Sequence, residues 1–338
     1  MSARATAISW GRWRWPVNNL TLLGALLLAG AMIAPLGAQP YPHKPLRLVI
    51  PFPGGGGGAD YVGRVIGQKL AERLGQPVVI ENRPGAAGNI GIELVAKAQA
   101  DGYTILLTTP SLTISPSLYK KLAYDPVRDL APISLVAEIP NLFLVRPSLP
   151  VTNLKEFVDY ARANPGKLNF GGSGIGSSTH LATVLFMSLA KINLVNVTYK
   201  GSSQALIGLM GGEVDLVVIG PPAAMPQIQA GRVRVLAVLR NERLPSLPNV
   251  PTIKEAGIDH SEVTTWYGLL APAGTPRDII NRLNADWITI AAMPDTLEKM
   301  QIAGVEIMSS TPEQFAELMK AEIARWAKVI KEANISVE

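Results

Sequence analysis

Leu46-Arg47-Leu48-Val49-Ile50-Pro51-Phe52-Pro53-Gly54-Gly55-Gly56-Gly57-Gly58-Ala59-Asp60 runs from a short strand through a glycine-rich turn into a helix. The helix spans Asp60 to Leu74, with apolar residues at Val62, Val65, Ile66, Leu70 and Leu74. Asp60 fits its N-cap, and Gly75 stands where a left-handed C-terminal glycine would end it. Pro77 to Glu81 reads as a second strand, Gly88 to Ala98 as a second helix and Tyr103 to Thr108 as a third strand. Alternation of this kind predicts an α/β protein with a largely parallel sheet covered by helices.

The pattern then restarts. Asn141 to Arg146 is a strand, and Asn153 to Ala163 a helix with Thr152 as N-cap. Leu168 to Phe170 is a short strand that enters Gly171-Gly172-Ser173-Gly174-Ile175-Gly176-Ser177-Ser178 before a helix from Thr179 to Ala190. Strands at 195–199, 214–219 and 233–239 and a helix from Ser203 to Met210 follow. A strand at 263–271 returns toward the first half, and helices beginning at Pro276, Pro294 and Pro312 finish the chain, each with proline in its first turn. Two α/β lobes are expected, one from 41–141 plus 264–338 and one from 142–263. Two crossings between them make a hinge suited to closing over a ligand.

Hydrophobic residues form 48% and charged residues 17% of the 338-residue chain, which excludes a disordered polyelectrolyte. No cysteine is present, so disulfides, thiolate metal sites, cysteine nucleophiles and a lipid-anchored N-terminal cysteine are excluded. His43, His180 and His260 are far apart and form no metal-spaced pair, so no metal is expected. Arg4, Arg12 and Arg14 precede an apolar run from Leu20 to Ala34, and Leu36-Gly37-Ala38 follows as a small-residue cleavage site. The run is shorter than the roughly 20 residues of a membrane span, so residues 1–38 read as a signal peptide for export to the periplasm. Removing those three arginines lowers the net charge from +5 to about +2, which offers no electrostatic case for nucleic acid.

Two strand-to-helix turns are candidate binding elements. In the first, Pro53, Gly54, Gly55, Gly56, Gly57 and Asp60 place exposed N–H groups ahead of a helix N-terminus, whose partial positive charge favours an anion. In the second, Gly172, Ser173, Gly174, Gly176, Ser177, Thr179 and His180 add hydroxyl donors suited to a carboxylate. One such turn per lobe, facing across a cleft, could neutralise a small organic acid with no cofactor and no catalytic residue. Ser173 does not fit a nucleophile elbow, since Ile175 stands where that motif needs glycine. The alternative reading is an NAD-dependent oxidoreductase, because Gly54, Gly56 and Ala59 also fit G-x-G-x-x-A with Glu81 ending the next strand.

Several segments in this order resemble the substrate-binding subunits of tripartite tricarboxylate transporters, the Bug family of extracytoplasmic receptors. They are Pro51-Phe52-Pro53 with the glycines and Asp60, Glu81-Asn82-Arg83-Pro84-Gly85-Ala86-Ala87-Gly88-Asn89-Ile90-Gly91, Asp101-Gly102-Tyr103-Thr104, Gly172 to Leu181, Tyr199-Lys200-Gly201, Gly211-Gly212-Glu213-Val214-Asp215 and Ala271 to Pro276. The likeness covers the chain from about Tyr41 onward. It implies a type II periplasmic-binding-protein fold and a carboxylic acid gripped at each end by one glycine-rich loop, partly through ordered waters at the first. It implies further that Thr109 and Ser111, at the end of the third strand, line the cleft; from the residues alone, Lys200 in Tyr199-Lys200-Gly201 is one of the few candidate cations for the ligand, although a lysine just after a strand is more often simply solvated. The ligand would pass to a membrane permease pair of one large and one small subunit. A sensor would keep the same cleft and differ only in partner; a monomer is the default.

Two departures from the family pattern stand out. The first loop, with five glycines, is one residue longer than usual. At the position where amino-acid-binding members carry an acid against the ligand ammonium, ungapped alignment places Ile219, followed by Gly220. An apolar residue cannot compensate a buried ammonium, which points to a carboxylate without an amino group, whether citrate-like, an aliphatic dicarboxylate or an aromatic acid.

Overall fold

Mixed sheets of six and five strands carry the chain, each flanked by helices. The computed structural model describes position 11 and residues 40–258 and 263–332; the expected signal peptide, apart from Gly11, and His260 lie outside the described residues. The first half comprises β1 (Leu46–Ile50), α1 (Gly58–Leu74), β2 (Val78–Asn82), a 3-10 turn (Ala86–Gly88), α2 (Asn89–Ala96), β3 (Thr104–Thr108), α3 (Ser111–Leu118) and β4 (Leu130–Pro140). The second comprises β5 (Leu142–Val145), α4 (Leu154–Ala163), β6 (Asn169–Gly172), α5 (Ser178–Ala190), β7 (Val195–Thr198), α6 (Ser202–Gly211), β8 (Leu216–Ile219), α7 (Pro221–Gln229) and β9 (Arg234–Val238). The chain then returns through β10 (Thr264–Pro272), α8 (Arg277–Ala291), α9 (Pro294–Ile302), β11 (Glu306–Ile307) and α10 (Pro312–Glu332).

Strand order is β11-β4-β10-β3-β1-β2 in one sheet and β7-β6-β8-β5-β9 in the other. β1 lies parallel to β2 and β3, and β6 parallel to β7 and β8. β10 runs antiparallel to β3 and β4, and β5 antiparallel to β8 and β9. The expected parallel sheets are therefore mixed, for a simple reason. β10 arrives from the other sheet, as does β5, so each enters its new sheet from the opposite end. One residue, Asn141, separates β4 from β5 at the first crossing, and the second lies between β9 and β10.

Local chemistry accounts for the elements. Gly75 closes α1 in the left-handed region at φ 66°, its N–H donating to Ala71. At α4 the N-cap is Asn153 rather than Thr152. The Asn153 side chain accepts from Glu156 N at 2.9 Å, while Glu156 reaches back to accept from Thr152 N at 2.7 Å. Alternation along β5 sends Phe143 and Val145 into one apolar layer and Leu142 and Leu144 into the other. Phe143, Phe157 and Phe186 pack edge to face or tilted, with centroids 4.5–6.4 Å apart. Burying each such side chain contributes about 1.5–3 kcal/mol. α10 spans both cores: Phe315 and Met319 pack with Trp266 and Leu270, whereas Trp326 and Ile330 join the layer containing Phe143.

Candidate functional site

Four helix N-termini converge on one cleft of about 80 Å³ between the two sheets. Gly57 and Gly58 open α1, Ser177 and Ser178 open α5, Gly201 and Ser202 open α6, and Gly220 precedes α7; all line the cleft. Thr109, just before α3, adds a hydroxyl. No lysine, arginine or histidine is among the described residues that line it, so an anion there would meet main-chain N–H groups and helix dipoles and not cationic side chains.

Asp60 is not the N-cap of α1. The helix begins two residues earlier, at Gly58, and Asp60 folds back over the loop. Its carboxylate accepts from Gly55 N at 3.1 Å, Gly56 N at 3.2 Å, Arg64 Nε at 3.0 Å and Asn82 Nδ2 at 3.2 Å. Burial pushes the Asp60 carboxyl upward, but the donation from Arg64, Gly56, Gly55 and Asn82 outweighs it and holds the group below the ordinary carboxylate range. Gly55 and Gly56, at φ 110° and 85°, can turn their N–H groups onto Asp60 because they lack a Cβ. They hold the loop and do not line the cleft, whereas Pro53, Gly54, Gly57 and Asp60 do. A Cβ at Gly58 would lie 2.4 Å from the Tyr267 hydroxyl, so the loop seats against β10 only with glycine there.

Across the cleft, Ser177 caps α5 by accepting from His180 N at 3.2 Å. Ser173, Ser177 and Thr179 form a triangle of mutually bonded hydroxyls, all lining the cleft. His180 sits behind them, 6% exposed, with Nδ1 accepting from Gly176 N at 3.5 Å. Burial lowers its pKa to about 4, so it is neutral at physiological pH and supplies no cation. Gly172 is a packing position, since a Cβ there would meet the Asn196 side chain at 2.5 Å.

The remaining expected residues divide by direction. Ser111 is fully buried and bonds Thr109 Oγ1 at 3.2 Å behind the cleft wall. Ile219 turns into the apolar layer around Leu142 and Leu206, whereas Gly220 lines the cleft. Gly174, Tyr199 and Lys200 line a neighbouring compartment with Ser173. The Tyr199 hydroxyl donates to Glu213 at 2.7 Å, and its pKa is pushed to about 12 by burial and that bond. Glu81 does not await a ribose, because Arg47 and Arg83 both bond its carboxylate. With the Gly55 and Gly56 N–H groups spent on Asp60, the turn is not laid out for a dinucleotide.

Residues not singled out from the sequence complete the site. Ser202, Ser203 and Gln204 form the first turn of α6 and line the cleft, as do Asn141, Thr265 and Tyr267. Burial raises the Tyr267 hydroxyl above the ordinary phenol range, so it stays protonated as a donor. Asn141 Nδ2 donates to Val263 O at 2.7 Å and Thr265 Oγ1 at 3.2 Å, and Thr265 pairs with Ser178 at 3.1 Å. This chain of bonds ties both crossings to the first turn of α5. The signal for α6 was local, Gly201-Ser202-Ser203 after a strand. Asn141, Thr265 and Tyr267 had none, because only the crossing topology brings them here.

Comparison with known proteins places the chain in a family. Residues 62–335 match the family model described as tripartite tricarboxylate transporter family receptor. The chain is 40% identical to a protein from the tcbD-tcbE intergenic region of a Pseudomonas species over 88% of each chain. It is 34% identical to Protein BugT of Bordetella pertussis, over 94% of this chain and 98% of that one. Among solved structures it resembles Rpa4515 of R. palustris with adipate (TM-score 0.85, 39% identity, 88% of this chain and 99% of that one). It also resembles MatC from Rhodopseudomonas palustris with bound malate (TM-score 0.82, 34% identity, 86% and 100%). The chain belongs to the tripartite tricarboxylate transporter receptor family, whose members are periplasmic solute-binding proteins of two-lobed type II fold and not enzymes.

Proposed function

We propose that this chain captures a small organic carboxylate lacking an amino group and delivers it to the membrane permease pair of a tripartite tricarboxylate transporter. The observation that carries the reading is the convergence of four helix N-termini on a cleft with no cationic side chain among the described lining residues. Backbone N–H groups and hydroxyls suit a carboxylate, whose charge the aligned peptide dipoles offset. Asp60 is the one acid in that lining, and four donors already occupy its carboxylate. An ammonium on the ligand would find hydroxyl and amide oxygens but no free carboxylate, and its charge would stay uncompensated. The adipate and malate held by the two R. palustris relatives are both carboxylates without an amino group, in keeping with this reading.

Residues 1–38 direct the protein to the periplasm as a signal peptide and are then cleaved off, and it works there as a monomer. Its lobes, 41–141 plus 264–338 and 142–263, close about Asn141 and the return strand. Isothermal titration of succinate, citrate, benzoate, aspartate and glutamate tests the recognition step. Binding by at least one of the first three, with aspartate and glutamate silent, is expected. Tight aspartate binding would end the reading.

A further inference from the structure

A second compartment adjoins the carboxylate cleft, and Phe52 and Ser173 line both. Its character differs from the first. The cleft is walled by hydroxyls and helix N-termini, whereas the compartment is walled mainly by Pro51, Phe52, Pro84, Ala87, Tyr119 and Ile175. It measures about 530 Å³, against about 80 Å³ for the cleft, which is more room than a short acid needs. Loops from both lobes form it, since a Cβ at Gly174 would stand 3.7 Å from Ala87 Cα.

The wall is also costly to hold. Gly85, Ala86, Ala87 and Gly88 are four successive residues at positive φ, and at the two alanines (φ 47° and 54°) this conformation strains the backbone. A run of left-handed residues persists only where the surroundings over-determine it, and here it shapes the side of a cavity that opens onto the binding site.

We propose that this compartment houses the apolar body of the ligand, so that the preferred acid is an elongated one with a carboxylate in the cleft and a hydrocarbon portion passing Phe52, rather than a compact hydroxy acid. The inference rests on the carboxylate reading above. Each methylene moved from water into this space adds to affinity, while a short acid leaves the space to solvent. Lys200 is the one cation among its described lining residues and lies exposed at the rim, so a second carboxylate at the far end is tolerated there without a buried ion pair.

Succinate and suberate carry the same two carboxylates and differ by four methylenes, so calorimetric titration of the pair isolates the compartment. Suberate is expected to bind at least tenfold more tightly than succinate. Thr198→Trp and Pro84→Trp fill the compartment from opposite lobes, and both residues lie outside the cleft lining. Each is expected to lower suberate affinity at least tenfold and to change succinate affinity less than twofold, which also shows that the variant is folded. Equal affinity for the two acids in the wild-type protein, or equal losses in both variants, would overturn the inference while leaving the carboxylate reading standing. Failure of both acids and of every other carboxylate to bind would overturn both.

Discussion

Asp60 accepts four hydrogen bonds with its side chain almost wholly buried, so the glycine-rich loop owes its shape to one carboxylate. Asp60→Ala removes the charged acceptor that gathers Gly55, Gly56, Arg64 and Asn82, leaving the two glycine N–H groups to water and Asn82 to Phe52 O alone. A loss of about 1–3 kcal/mol is expected in denaturant unfolding, together with weaker carboxylate binding. Unchanged stability would show that the loop holds its form without this group. His180 makes a second prediction, in pH. Its folded pKa of about 4 lies below the reference value of 6.5, so the buried ring refuses a proton that the unfolded chain accepts. Stability from this group is complete above about pH 6.5 and is lost as pH falls toward 4, by an amount on the order of 3 kcal/mol. His180→Gln is expected to flatten that part of the stability profile measured by urea titration at several pH values. An identical slope in the variant would assign the pH response to other groups.

Elements carry the next level. The two glycine-rich turns were legible because strand, turn and helix signals sit within about fifteen residues of one another. Their role was only half legible, since nothing local distinguished Gly57, which faces the cleft, from Gly55 and Gly56, which serve Asp60. α7 passed unread because Pro221, Pro222 and Pro226 argue against a helix; Pro221 and Pro222 occupy the first turn, where no N–H is missed, and Pro226 is carried inside. α3, with Pro116 inside, and the eleven-residue β4 were also not anticipated. Asn141, Thr265 and Tyr267 were invisible for a different reason: their meeting depends on which sheet each crossing strand enters, and no sequence window contains both crossings. The fit of α10 against β10 offers an element-scale test. A Cβ at Gly268 would overlap the Phe315 ring at 2.0 Å. Gly268→Ala is therefore expected to destabilise the protein by about 1–3 kcal/mol through overpacking, read as a lowered Tm. A variant as stable as the wild type would mean that α10 shifts freely on the sheet.

At the scale of the whole molecule, both crossings meet at Asn141, which is 1% exposed and bonds Val263 and Thr265. Thr265 in turn reaches Ser178 at the first turn of α5, so both crossings and the cleft share one hydrogen-bond network. Asn141→Ala is expected to weaken carboxylate binding by tenfold or more while costing about 1–3 kcal/mol of stability. Titration calorimetry beside thermal unfolding separates the two effects, and unaltered affinity would disconnect the hinge from the site. α10 adds a second mechanical link, since its two ends pack in different cores. Any closure of one lobe on the other would have to carry a helix that both of them grip. A crystal structure of the protein with succinate bears most directly on how the anion is neutralised. The expected map places carboxylate oxygens within about 3 Å of main-chain N–H groups in the first turns of α5 and α6, with no lysine or arginine in contact. A succinate whose carboxylates both pair with cationic side chains, or which lies away from these helix N-termini, would contradict it.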